Sequence, residues 1–141
     1  MTTTRPVPTP SSWSEPFWAA AREERLTFQV CGSCGTATMY PKRLCPTCLS
    51  DALTWQDAAG TGEVYTWTEQ VAGPPSGFED RVPYVVAVVR LDEGVQLMSN
   101  IVGPDAANVQ CGARVTVAFE TVPGTDVVLP VFTLDEAPAG A

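Results

Sequence analysis

The 141-residue chain contains no histidine. That absence removes the side chain that most often serves as a general base near neutral pH, and with it the Ser–His and Cys–His nucleophile pairs. Positive charge is scarce as well: 8 Lys and Arg stand against 16 Asp and Glu, for a formal net charge of −8. Such a surface repels phosphate backbones and anionic headgroups as a whole, so neither nucleic acid nor a membrane is an expected partner. No apolar run approaches the ~20 residues of a membrane helix. The opening MTTTRPVPTPSSWS lacks the apolar centre of a signal peptide, and the chain reads as a soluble cytoplasmic protein. It has neither a Gly-rich phosphate loop nor an internal repeat.

Cysteine is present in a telling arrangement. Four of the five lie within residues 31–48, CGSCGTATMYPKRLCPTC, as two Cys-x-x-Cys pairs separated by 10 residues. In a reducing compartment, pairs at this spacing point to metal ligation rather than disulfides. Four thiolates from two knuckles suit tetrahedral zinc, held by Cys31, Cys34, Cys45 and Cys48, one ion per chain. A rubredoxin-like iron centre is the rival, because it uses the same knuckles. A redox dithiol would need one pair beside a βαβ pattern, which is missing. Four protein ligands close the coordination shell and leave no place for a substrate or water, so the metal is expected to be structural. Cys111 reads as a small apolar residue at a strand entrance, since no histidine is available to activate it as a nucleophile.

Residues 1–12 are rich in Thr, Pro and Ser and read as disordered, as does the tail 137–141. SEPFWAAAREERL predicts a helix, within 13–27, with Ser14 as N-cap, Pro16 in the first turn and alanines favouring helix. Phe17 and Trp18 put apolar bulk on this helix, available either to the chain's own core or to a partner. A zinc ribbon of the rubredoxin type is assigned to 28–56. Beyond it, hydrophobicity switches to period two, and five strands are predicted at 62–71, 83–92, 95–102, 114–122 and 127–135, with a hairpin turn at Asp92-Glu93-Gly94. Five strands with a longer connection after the third match a small Greek-key barrel of the OB type over 57–136. The fold class expected is therefore mainly β: an N-terminal helix, a rubredoxin-like zinc ribbon and a five-stranded OB-fold barrel. The loop AGPPSGFEDR, with Phe78 and Arg81, is either a plain surface loop or a ligand loop of that barrel.

The order of the helix, the knuckles, GTGEVYTWT, PYVVAVVRLDEGVQLMSNIVG, GARVTVAFE and LPVFTLD resembles the DUF35 family over roughly residues 14–135. The selective part is the conjunction of the knuckles with the Gly62, Val64, Thr66 strand start and the LDEG hairpin. The resemblance implies an accessory subunit that docks on a thiolase-like acyl-CoA enzyme, an acyltransferase or an aldolase that cleaves sterol side chains, or a partner of a MaoC-like hydratase. It implies metal at the four cysteines and transfers no catalytic residue. Within that reading, Lys42 and Arg43 on the ribbon and Arg81 on the long loop are the local cations for the phosphates of acyl-CoA, with Phe78 on the same loop as Arg81, and Phe17 and Trp18 are the expected partner interface. The competing reading is a nucleic-acid module, since zinc ribbons and OB folds also bind polynucleotide; the charge opposes it.

Overall fold

The computed structural model describes residues 6–75 and 77–135, so the expectations for 1–5 and 136–141 fall outside the described residues. A turn at residues 12–14 runs into helix α1 (Glu15–Arg22). Ser14 is its N-cap, as the sequence predicts, but the Ser14 side chain makes no cap bond to the helix. The Ser11 amide donates to Ser14 Oγ at 2.8 Å and the Ser14 amide to Ser11 Oγ at 3.2 Å, so the two serines close the turn before the helix reciprocally. The helix is also shorter than the sequence predicts. Glu24 takes a left-handed φ of 60°, and the Arg25 amide reaches back to the Ala20 carbonyl at 2.9 Å, the closing bond of a Schellman turn. The turn frees Leu26 to enter the core and Thr27 to begin a strand, which a continued helix would forbid.

Strands β1 (Thr27–Cys31), β2 (Ala37–Thr38) and β3 (Leu53–Asp57) form a small antiparallel sheet in the order β2-β1-β3. Strands β4 (Thr61–Gln70), β5 (Tyr84–Leu91), β6 (Gln96–Val102), β7 (Arg114–Thr121) and β8 (Val128–Leu134) then close a barrel in the order β4-β5-β6-β8-β7. Every strand predicted from the period-two pattern forms within a residue of its expected bounds. Only β6 and β8 run parallel, at Ile101↔Phe132 and Val102↔Thr133; this is the Greek-key closure of an OB fold. A single 3₁₀ turn, Ala106–Asn108, occupies the longer connection before β7.

Alternation explains the barrel's filling. Along β5, Val85, Ala87, Val89 and Leu91 are buried, joined inside by Val64, Leu97, Ile101, Val115 and Phe132. This core does not stop at the barrel: Phe17 of α1, Phe28 of β1 and Met39 belong to the same packed cluster. At the head of β4, Gly62 lies so near β5 that a Cβ would sit 2.4 Å from the Arg90 carbonyl oxygen. Past Val64 the register shifts, and Tyr65 bulges out of the ladder with Arg90 stacked on its ring at 4.6 Å. No helix among the described residues is long and apolar enough to cross a membrane.

Candidate metal centre and its surroundings

The two knuckles repeat one local structure. In the first, the Gly35 amide donates to the Cys31 carbonyl at 2.8 Å and the Ser33 amide points at Cys31 Sγ at 3.4 Å. In the second, Leu49 donates to Cys45 at 2.9 Å and Thr47 points at Cys45 Sγ at 3.4 Å. Both turns close with a residue in the left-handed region, Gly35 at φ 79° and Leu49 at φ 64°. Glycine takes that conformation freely, whereas Leu49 holds it against its own Cβ. Each first cysteine is also tied to the segment that follows, through Cys31 N–H to Thr36 O at 2.9 Å and Cys45 N–H to Ser50 O at 2.8 Å.

These turns bring all four sulfurs within 4.8 Å of one another, with Cys31–Cys48 and Cys34–Cys45 each 3.6 Å apart. A tetrahedron with metal–sulfur bonds of ~2.3 Å has edges of about 3.8 Å, so the donor set fits one four-coordinate ion. The metal-free electrostatics point the same way. The Thr36 hydroxyl and amide hold the Cys34 thiol down at about 6. The Ser50 amide favours the Cys48 thiolate, yet the neighbouring Cys31 sulfur, burial and the other two sulfurs together push that thiol up to about 12. Four adjacent thiolates cannot all ionise without a cation among them, and a divalent ion supplies the missing charge. Cys111 stands apart, exposed beside Gly112.

The remaining predicted residues fare differently. Phe17 is 8% exposed and turned into the chain's own core, meeting Trp18 edge-to-face at 5.1 Å. It is therefore a core residue and not an exposed anchor, because the short helix needs that ring to attach it to the barrel. Trp18 is half-buried and lines a cleft of about 350 Å³ between α1, residues 39–41 and strands β6 and β8. Tyr40 and Met98 stand open on the same cleft and are joined by a hydrogen bond from the Met98 amide to the Tyr40 hydroxyl.

Lys42 and Arg43 lie side by side on the ribbon, but Arg81 and Phe78 are not with them. Arg81 is bonded to Glu120 at 3.3 Å and lines a separate cleft with Tyr84 and Pro104. Phe78 packs on Tyr84 with ring centroids 5.5 Å apart. Charge pairing and aromatic packing fix Arg81 and Phe78 on the barrel, away from the ribbon pair.

The neighbours of Lys42 and Arg43 were not legible in the sequence. Arg43 stacks over Trp13 at 5.5 Å, and both cations line a cleft with Trp13, Trp55, Gln29 and Asp51. Gln29, buried at 4% exposure, grips the backbone of Lys42 from both sides: its side-chain amide donates to the Lys42 carbonyl at 3.1 Å, and the Lys42 N–H donates to Gln29 Oε1 at 2.8 Å.

Comparison with known proteins agrees with this architecture. The family model for the rubredoxin-like zinc ribbon domain of ChsH2 matches residues 18–54, and that for the C-terminal OB-fold domain of ChsH2 matches 55–120. The cysteine cluster is thus a site for one structural zinc. A probable enoyl-CoA hydratase alpha subunit of Thermomonospora curvata is 39% identical over 82% of this chain, which spans only 36% of that protein's length. A DUF35 domain-containing scaffold protein of Pyrococcus furiosus is 35% identical, covering 70% of this chain and 72% of its own. Among solved structures, a chain of the "Ltp2-ChsH2(DUF35) aldolase" superposes with a TM-score of 0.80 at 34% identity, over 91% of this chain and 98% of that one.

Proposed function

Because the chain belongs to the DUF35 family of zinc-ribbon and OB-fold proteins, we propose that it is a non-catalytic accessory subunit docking on a thiolase-like enzyme, an aldolase or acyltransferase, and supporting that enzyme's acyl-CoA binding and activity. One observation carries this reading: the likeness over nearly the full length of both chains to a component of an aldolase assembly. The chain's own chemistry supports it. The four cysteines are the one group of three or more potential metal ligands among the described residues, and a fourfold-coordinated ion has no open position for a reactant.

The docking seat on this reading is the cleft between helix, ribbon and barrel that half-buried Trp18 lines with the exposed Tyr40 and Met98. Aromatic and Met side chains are enriched at the cores of such interfaces, and the zinc keeps one wall of the seat rigid. Co-expression with a genomically adjacent thiolase-like protein should give a co-eluting complex with higher acyl-CoA activity than that protein alone. Trp18→Ala/Met98→Ala should weaken the complex by about 30-fold or more, on the basis of roughly 2 kcal/mol for a buried interfacial aromatic. A wild-type chain that neither co-elutes nor alters activity would sink the proposal.

A second reading has its own support in the T. curvata relative, whose name is that of an enoyl-CoA hydratase subunit. In that case the co-eluting partner is a MaoC-like hydratase, and the same chromatography distinguishes the two.

A further inference from the structure

The barrel closes unevenly between β6 and β8. The two strands pair only at Ile101↔Phe132 and Val102↔Thr133, whereas β6 runs back to Gln96 along β5 and β8 runs back to Val128 along β7. Residues 96–100 therefore have a neighbouring strand on one side alone, and the cleft beside Trp18 lies at the edge they leave. The two edges of this split differ. On β8, Pro130 has no N–H to offer, and its carbonyl already accepts from the Ser99 hydroxyl at 2.8 Å. On β6, the Met98 N–H meets a side chain, the Tyr40 hydroxyl, in place of a strand. The N–H and C=O of one residue leave a strand on the same side, so the Met98 carbonyl faces the cleft beside its amide.

An unpaired strand edge has to be covered or paired, and here a tyrosine hydroxyl covers it. Tyr40 does so at some cost to itself: it is 50% exposed, and its backbone lies in the left-handed region at φ 65°, which a bulky residue adopts only under strain. The lining of the cleft, about 350 Å³, says what can take its place. Trp18, Leu97, Leu129 and Val131 contribute to the walls, and no residue of the lining is charged, although the chain as a whole stands at −8. A charged ligand finds no counter-charge there. A helix has its backbone groups bonded within itself and has none to give the Met98 edge. An extended, uncharged segment supplies both a backbone carbonyl for that edge and apolar side chains for the walls.

We infer that the free edge of β6 in this cleft receives an extended apolar segment of the partner enzyme, which adds a strand to β6 by pairing with Met98. In the free chain the Tyr40 hydroxyl stands where that segment's carbonyl goes. On docking the ring is displaced and its backbone can relax, while alternate side chains of the segment meet Trp18, Leu129 and Val131. The enzyme as owner of the segment rests on the accessory-subunit reading, while the strand-accepting edge rests on β6, Tyr40 and Pro130.

The test uses the zinc-loaded full chain, free and in complex with the co-expressed thiolase-like protein. Hydrogen exchange at the amides of 96–100 should slow by about ten-fold or more in the complex. Tyr40→Phe keeps the ring but removes the hydroxyl that competes for the Met98 N–H, so it should bind the partner about five-fold more tightly, the worth of one net hydrogen bond. Met98→Pro removes that N–H at an edge position where proline is tolerated, and at unchanged zinc content and melting temperature it should no longer co-elute. If this variant melts early, the exchange rates and the Tyr40→Phe affinity decide by themselves. A complex in which 96–100 exchange as in the free chain, or in which Tyr40→Phe binds no more tightly than wild type, overturns strand addition and leaves the accessory-subunit reading standing. So does a folded Met98→Pro chain that binds as wild type does. Absence of any complex sinks both. The same protection appearing in the free chain as its concentration rises, with a doubled mass in size exclusion, overturns the enzyme as donor in favour of a second copy.

Discussion

Asp92 shows how much of this fold hangs on one side chain at a turn. It sits in the β5–β6 hairpin yet ties two further strands to it. Both its oxygens accept from Arg114 of β7, at 2.9 Å each, and one also accepts from the Thr61 hydroxyl at the head of β4 at 2.5 Å. Arg114 and then Thr61 hold its carboxyl at about 2, below the ordinary value of 3.8. A carboxylate with a depressed folded-state value contributes stability that is complete above about pH 4 and is lost as pH falls through that value towards 2. Thermal melts of wild type and Asp92→Asn should therefore differ most near neutral pH and converge between about pH 4 and 2. A gap that stays constant with pH would mean the aspartate acts by packing and not by charge.

At the scale of the element, β4 is the strand with the most exacting backbone. It opens with Gly62, where a methyl group would press on the β5 backbone rather than on a flexible side chain, with 2.4 Å to Arg90 O and 3.0 Å to the Leu91 Cα. Neither neighbour can swing aside without parting the β4–β5 ladder. Gly62→Ala is expected to destabilise the barrel by about 2 kcal/mol or more, within the range for overpacking against a rigid neighbour. Chemical denaturation with zinc present would check it, and a loss under about 0.5 kcal/mol, the usual size of a neutral surface change, would show that the strands part easily. The glycine of the Gly-x-Val-x-Thr strand start thus has a steric reason, and Val64 two positions on is wholly inside.

For the whole molecule, the ribbon and the barrel are not two independent bodies. The packed cluster runs from Phe17 and Phe28 through Met39 to Val64 and Phe132. A polar link reinforces it, from the Met98 amide of β6 to the Tyr40 hydroxyl between the two knuckles. The zinc supplies roughly 10 kcal/mol or more to ribbons of this kind, and its ligands must lose protons to bind it. Zinc-loaded protein should unfold in a single transition, and a chelator should lower the melting temperature. In hydrogen exchange the metal-free chain should lose protection first in β1–β3, with the barrel strands falling later but not unaffected. Cys34→Ser should reproduce this, and elemental analysis of the wild type should give about one zinc per chain. Barrel stability indifferent to the metal would show that the shared core carries no coupling.

Sequence alone determined whatever follows from local period and spacing. Alternation along Val85, Ala87, Val89 and Leu91 specifies a half-buried strand whatever the rest of the chain does. Two Cys-x-x-Cys pairs specify a four-thiolate site because each knuckle is a closed local turn, so spacing suffices to name Cys31, Cys34, Cys45 and Cys48. Where the outcome depended on a distant neighbour, the sequence was silent or misleading. Helix propensity in AAAREERL ran past Arg22, but the chain bends at Glu24 because Leu26 gains more inside the core than on a helix. Phe17 could have faced either way on its helix, and only packing against the barrel turned it inward. Arg81 reads as a free cation in the sequence, whereas in the fold Glu120, 39 residues on, lies beside it. The gathering of Trp13, Gln29, Lys42, Arg43 and Trp55 at one cleft was decided by tertiary structure alone, since residues from separate segments of the chain meet there and no local pattern encodes contact between them.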